Sequence, residues 1–304
     1  MPDSELQTIR DFLRHAVSRF RAAVLVHGHG ATTALDEAAF IILEALHLPV
    51  GDINPWLDAR LLADERRKIA ELVNERIRTR KPASYLLKKS YIRGIPFYVD
   101  ERVIIPRSFL AELMLSEEMA PDDFAPFQDM AGVERVLDLC TGSGCLAVIA
   151  AGVFPNADIH AVDLSPDALD VARINVDASG LQDRITLYSG NLFAPLKGER
   201  YDLIISNPPY VAAEEMAVLP PEYRHEPEMA LAGGDDGLDI VRRILEDAPN
   251  HLTEEGGLLV EIGTGREALE LDFPDLDLLW LDTAESAGEV FWVTRKALKA
   301  AGNG

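Results

Sequence analysis

From Val133 onward the chain alternates short apolar runs with helical stretches, and the alternation closes on two runs too near each other in sequence to lie parallel. The strand candidates are Val133–Leu139, Asp158–Leu164, Ile185–Ser189, Tyr201–Ser206 and Gly257–Ile262, then Leu276–Asp282 and Val290–Thr294. Strands that alternate with helices predict a parallel sheet covered on both faces. The last two runs are joined by a short polar loop and are expected to pair antiparallel, because a parallel connection needs a longer crossover. Together they describe an α/β domain with a seven-stranded Rossmann-like sheet, distinct from a nucleotide-dehydrogenase sheet.

Ahead of that domain the pattern differs. Leu6, Ile9, Leu13, Val17 and Phe20 recur at helical spacing, and 36–48 and 64–80 repeat it, so residues 1–84 read as a small helical domain. His27 and His29 fall between the first two helices in a Gly-rich turn; with no further ligands at fixed spacing, a metal site is not expected. Residues 85–107 hold short β-prone runs (91–92, 96–99 and 102–105) and read as a β-hairpin connector. Residues 108–304 form the α/β domain, with a helix over 108–119 and an acidic, Pro-containing loop over 120–131 that is expected to be mobile.

Composition narrows the partners. The formal charge of −22, from 51 acidic against 29 basic residues, leaves no basic surplus to track phosphates, so free DNA or RNA is disfavoured and a basic protein favoured. Cys140 and Cys145 form neither a disulfide framework nor a metal-ligand set and fit a reducing cytoplasm. The N-terminus lacks the basic head and apolar run of a signal peptide, and glycines and a proline interrupt the uncharged stretch 139–157, so no membrane span is expected.

Two strand ends carry the chemistry. Asn207-Pro208-Pro209-Tyr210 follows the apolar run 201–206 and sets a side-chain amide, stiff carbonyls and an aromatic face at the carboxyl edge of the sheet, where open α/β sheets bind ligands. A planar amide or aromatic amine attacks an electrophile poorly unless acceptors hold its N–H groups and leave the lone pair available. The Asn207 side-chain oxygen and the Pro208 carbonyl are candidates for those acceptors, and Tyr210 for a flat packing face. An ordinary strand-ending turn uses the same residue types.

The other end is Val136-Leu-Asp138-Leu-Cys140 followed by Thr141-Gly142-Ser143-Gly144-Cys-Leu-Ala147, a Gly-x-Gly-x-x-Ala turn into a helix. Asp163 closes the next strand candidate, suited to gripping ribose hydroxyls. NAD would use the same plan, but Asp138 and Asp163 suit the sulfonium and ammonium of S-adenosylmethionine and disfavour a pyrophosphate. Asn191, after the third strand, is placed to meet an adenine. The set Asp138, Gly142, Gly144, Asp163, Asn191 and Asn207, in order at strand ends, points to an S-adenosylmethionine site. A nucleic-acid adenine methyltransferase presents the same N–H geometry to its clamp, and a non-catalytic nucleotide-binding scaffold is a further alternative.

With those motifs in view the chain resembles the HemK-like N(5)-glutamine methyltransferases, which modify release factors and ribosomal proteins. The resemblance extends through 97–103, Ile105-Pro-Arg-Ser108, 139–145, 222–228 and 234–237. Pro106-Arg107-Ser108 and the segment near 4–14 are most similar to the branch acting on ribosomal protein L3 of the large subunit; release-factor enzymes continue differently after Pro-Arg. The resemblance implies a class I, S-adenosylmethionine-dependent methyltransferase domain that leaves S-adenosylhomocysteine as product, behind a substrate-recognising helical domain. It implies that Asn207, Pro208, Pro209 and Tyr210 hold the substrate amide, with Arg107 anchoring its backbone. Cofactor contacts would come from Asp138, Cys140, Thr141, Gly142, Ser143, Gly144, Asp163, Asn191 and Asn207, with 222–228 as a lid. Asn191 stands where the group more often has Asp.

Overall fold

The computed structural model describes residues 5–116, 129–283 and 286–301. The chain divides into two compact units. The first comprises Met1–Glu101, Ile105–Arg107 and Pro220–Glu226, the second Arg102–Ile104, Ser108–Leu219 and Pro227–Gly304.

In the first unit α1 (Ile9–Ala22), α2 (Ala34–Ala45), α3 (Ala63–Thr79) and α4 (Ala83–Leu87) precede a hairpin of β1 (Ser90–Ile92) and β2 (Ile95–Phe97). Thr8 caps α1 in a reciprocal box with Asp11, so that helix begins at Ile9 and leaves Leu6, the first residue of the apolar period, ahead of it. Thr33 caps α2, and Arg80 ends α3 in the left-handed region at φ 61. Ile9, Phe12, Phe20, Ile41, Ile42, Ile69 and Val73 meet in the core, as helical spacing of apolar residues requires. Beside them lies a fully buried guanidinium: Arg76 Nε donates to Glu37 Oε1 at 2.8 Å and its other nitrogens to the Arg80 and Val26 carbonyls. His27 completes this network through Glu37 Oε2 at 2.8 Å, so its imidazole belongs to an ionic core. Among the described residues no group of His, Cys, Asp or Glu is placed to hold a metal ion. Of the β-prone runs in 85–107, the run 102–105 forms no strand; only the first two pair.

The second unit opens with α5 (Phe109–Leu115), shorter than the 108–119 helix read from sequence. Residues 117–128, which hold the end of that reading and most of the 120–131 loop, lie outside the described residues. Then follow β3 (Arg135–Leu139), α6 (Cys145–Val153), β4 (Asp158–Asp163), α7 (Pro166–Ala178), β5 (Ile185–Ser189), β6 (Tyr201–Ser206), α8 (Ala213–Val218) and α9 (Asp239–Asp247). β7 (Leu252–Glu261), α10 (Arg266–Asp272), β8 (Leu279–Leu281), β9 (Val290–Thr294) and α11 (Arg295–Ala301) complete it. The seven strands form one sheet in the order β5-β4-β3-β6-β7-β9-β8. The first five are mutually parallel, whereas β9 runs antiparallel to both β7 and β8. β9 thus inserts between β7 and its own hairpin partner. Leu137, Leu139, Leu203, Ile204 and Ile205 are fully buried, consistent with a parallel sheet covered on both faces. β7 starts at Leu252, earlier than its apolar run, because Tyr201 pairs with Leu252 before a register shift restores pairing at Leu203 and Gly257. No helix among the described residues is long and apolar enough to cross a membrane.

Candidate active site

The reversal of strand order between β3 and β4 on one side and β6 on the other opens a crevice at the carboxyl edge of the sheet. A cavity of about 250 Å³ sits there within the second unit, and its wall includes Cys140, Gly142, Asp163, Asn191, Asn207 and Pro209. Five residues proposed from sequence as cofactor contacts therefore line one cavity although they come from four different strand ends. Asp138, Thr141, Ser143 and Gly144 are not part of that wall; they shape the loop that is.

The loop is built by backbone geometry. Cys140 (φ 59), Gly142 (φ 56) and Gly144 (φ 77) all adopt left-handed conformations, so the chain reverses between β3 and α6 in the fewest residues. Gly142 faces open space: a Cβ there would meet nothing within 4 Å. At Gly144 a Cβ would come within 3.1 Å of Ala172 Cβ, so that glycine lets α6 and α7 approach. Asp138, fully buried, accepts from the Thr141 hydroxyl and, at 3.1 Å, from the Ala147 N–H through Oδ2, while Asn175 Nδ2 donates to the Ser143 carbonyl at 2.8 Å. Burial pushes the Asp138 carboxyl up to about 7, an effect the Thr141 and Ala147 bonds only partly offset and the Asp163 charge reinforces. Its Oδ1 is buried with no hydrogen-bond partner.

Asp163 is held from both sides. Oδ2 accepts from the Gly142 N–H and Oδ1 from the Ser165 N–H, each at 2.8 Å, which fixes the carboxylate at the cavity wall with lone pairs to spare. Burial raises its pKa despite those two bonds. Leu164, next in the chain, is 58% exposed and lines the cavity, as do Met229 and Ile240. These apolar walls suit a flat heterocycle, and nothing in their local sequence marks them out. Asn191 Oδ1 accepts from Arg243 Nη2 at 2.9 Å; a guanidinium only donates, so the Asn191 amino group is left for a ligand. Leu192 adopts φ 50 and lines the cavity, whereas Phe193 stacks on His251 at 4.5 Å as core.

Asn207-Pro208-Pro209-Tyr210 leaves β6 at this crevice, with Asn207 and Pro209 in the cavity wall and Pro208 buried. The following residues are stapled by a short parallel bridge: the Val211 N–H donates to the Leu231 carbonyl at 2.8 Å and the Gly233 N–H to the Val211 carbonyl at 2.9 Å. Only glycines fit beside this segment, since a Cβ at Gly233 or Gly237 would lie 2.7 Å from the Tyr210 Cα or 2.3 Å from its carbonyl oxygen. The Tyr210 hydroxyl donates to Glu261 Oε1 at 3.0 Å, and its ring lies over Gly263. Arg107, in the first unit, makes a bidentate pair with Glu226 at 2.6 and 2.7 Å and donates to the Ile105 carbonyl.

Fold and site define a methyltransferase of class I, Rossmann-like architecture, and residues 126–219 match the family model of the methyltransferase small domain. The chain belongs to the ribosomal protein uL3 glutamine methyltransferases. It is 56% identical over 290 residues to the protein so named from Bradyrhizobium diazoefficiens, covering 95% of this chain and 91% of that relative. It is 53% identical over 294 residues to the one from Bordetella pertussis, with 97% of each chain covered.

Proposed function

We propose that this protein transfers the methyl group of S-adenosylmethionine to the side-chain amide nitrogen of a glutamine in ribosomal protein uL3, releasing S-adenosylhomocysteine. The observation that carries this is the shared cavity wall: the glycine turn at Gly142, the carboxylate of Asp163 and the Asn207–Pro209 clamp meet at one crevice. The cofactor supplies an electrophilic methyl on a sulfonium.

The protein's own residues do the rest. Asp163, with both oxygens already oriented by backbone N–H groups, accepts from ribose hydroxyls, and Gly142 leaves room for the ligand to approach the backbone. The amino group of Asn191, directed by Arg243, donates to an adenine ring nitrogen; the Asp more common in the group would instead accept from the adenine amine. Asn207 Oδ1 and the Pro208 carbonyl accept the two N–H groups of the substrate amide. Proline has no N–H, so its only backbone polar group is an acceptor. The clamp thereby opposes amide resonance and offsets positive charge growing on nitrogen during attack, and Tyr210 packs along the amide plane. The methylated nitrogen is acidic and yields its proton to water, so no dedicated base is required. Positioning carries most of the rate.

The helical unit and hairpin select the protein substrate, a basic ribosomal protein free or on an assembling large subunit, which places the work in the cytoplasm. In Asn207→Ala, calorimetry is expected to show cofactor affinity within a few fold of the parent, because Gly142, Asp163 and Asn191 still line the cavity, while single-turnover methylation falls by roughly 10²-fold, the scale for losing one preorganised group that stabilises transition-state charge. Turnover within a few fold of the parent would remove Asn207 from the mechanism.

A further inference from the structure

Glu261 ends β7 completely buried, yet it is not in the cavity wall and every hydrogen-bond donor it meets is neutral. Oε2 accepts from the Ser108 hydroxyl at 2.6 Å and the Phe109 N–H at 2.8 Å, and Oε1 accepts from the Tyr210 hydroxyl at 3.0 Å. Burying a carboxylate against neutral partners carries a desolvation penalty that an apolar residue would not incur. A carboxylate has one property no other side chain of that size offers: it accepts at both ends at once. Here the two ends serve two elements, the first turn of α5 and the residue that closes the Asn-Pro-Pro-Tyr clamp.

We propose that Glu261 is the positioning residue of the clamp. It fixes the Tyr210 ring plane by holding its hydroxyl while Gly263 leaves the ring room to lie flat, and it takes its own orientation from Ser108 and Phe109. Glutamine does this less well. With its oxygen toward Ser108 and Phe109 its amino group can only donate to the Tyr210 oxygen, which reverses that bond and turns the phenolic hydrogen elsewhere; with the amide flipped, two donors face each other at Phe109. This assignment rests on the methyl-transfer reading only for its kinetic consequence; the contact itself is testable without substrate.

The test uses the full chain as wild type, Glu261→Gln, Tyr210→Phe and the double variant. With S-adenosylmethionine and purified uL3, turnover is expected to fall about tenfold in each single variant and no further in the double, because both act on the same link. The cofactor dissociation constant should stay within about twofold throughout. Multiplied losses in the double variant, or wild-type turnover in Tyr210→Phe, would overturn the proposal, and so would parallel loss of cofactor binding, the mark of a merely structural role. A second readout covers the case in which the wild type leaves uL3 unmethylated. With tyrosines 13C-labelled, the Tyr210 ring signal, identified by its absence after Tyr210→Ala, should move in Glu261→Gln. A stationary signal defeats the proposal regardless of substrate.

Discussion

At the loop after β3 the backbone decides what fits, and its two glycines should fail in different ways. A methyl at Gly144 meets Ala172 Cβ at 3.1 Å on top of a left-handed φ, so Gly144→Ala is expected to destabilise the protein by about 1–3 kcal/mol in urea unfolding. Gly142→Ala meets no neighbour and should cost only the conformational term, about 1 kcal/mol, yet weaken cofactor binding because the new methyl enters the cavity. Asp138 adds a pH signature. Its folded pKa, about 7, lies above its ordinary 3.8, so the folded protein holds the proton more tightly and the carboxyl's contribution to stability declines as pH rises through that window. Asp138→Asn should therefore lose less stability than the parent between pH 4 and 7. The glycine turn and Asp163 were legible in sequence because their residue types are dictated by backbone angle and by a strand end. Glu261 was not: its partners Ser108 and Tyr210 are 153 and 51 residues away, and locally it reads as the polar end of an apolar strand.

Among the elements, α3 depends on the buried ion pairs of Arg76, with Glu37 at 2.8 Å and Glu222 at 3.9 Å, and the 220–226 segment on two buried carboxylates. Arg76→Met leaves Glu37 desolvated without its cation and is expected to cost about 3–5 kcal/mol by urea unfolding, much of it recovered when Glu37→Met is added. Burial works to raise the Glu226 carboxyl, but Arg107 and His29 outweigh it and hold the group down at about 2. A depressed folded pKa contributes stability that is present above the ordinary 4.5 and lost as pH falls toward 2. The stability gap between the parent and Glu226→Gln should accordingly narrow over that range. Strands were easier to read than helices or connections. β5, β6 and β9 match their apolar runs residue for residue: β6 and β9 are buried on both faces, so composition alone marks them, whereas the edge strand β5, with Thr186 and Ser189 exposed, is marked by its β-prone residues. β7 was read short because its first residues pair through backbone, with Glu254 and Glu255 exposed, and the run 102–105 forms no strand although its residues are β-prone. The helix start at Ile9 was set by the Thr8 box, a signal weaker than the apolar period around it.

Charge is unevenly shared along the whole chain: the first 101 residues are nearly balanced between acidic and basic side chains, and the acidic surplus falls in the remainder. A basic substrate is then drawn chiefly toward the methyltransferase unit, and its KM should rise steeply between 50 and 300 mM salt while the cofactor constant changes little. The identity of the methyl acceptor decides between the clamp's possible substrates. Purified protein is incubated with labelled S-adenosylmethionine and, in separate reactions, uL3, a release factor and an adenine-containing RNA, and any modified residue is mapped by mass spectrometry. Label on a single glutamine side chain of uL3, with its loss in Asn207→Ala, is the predicted result. Label on the release factor or the RNA with uL3 unmodified would contradict it.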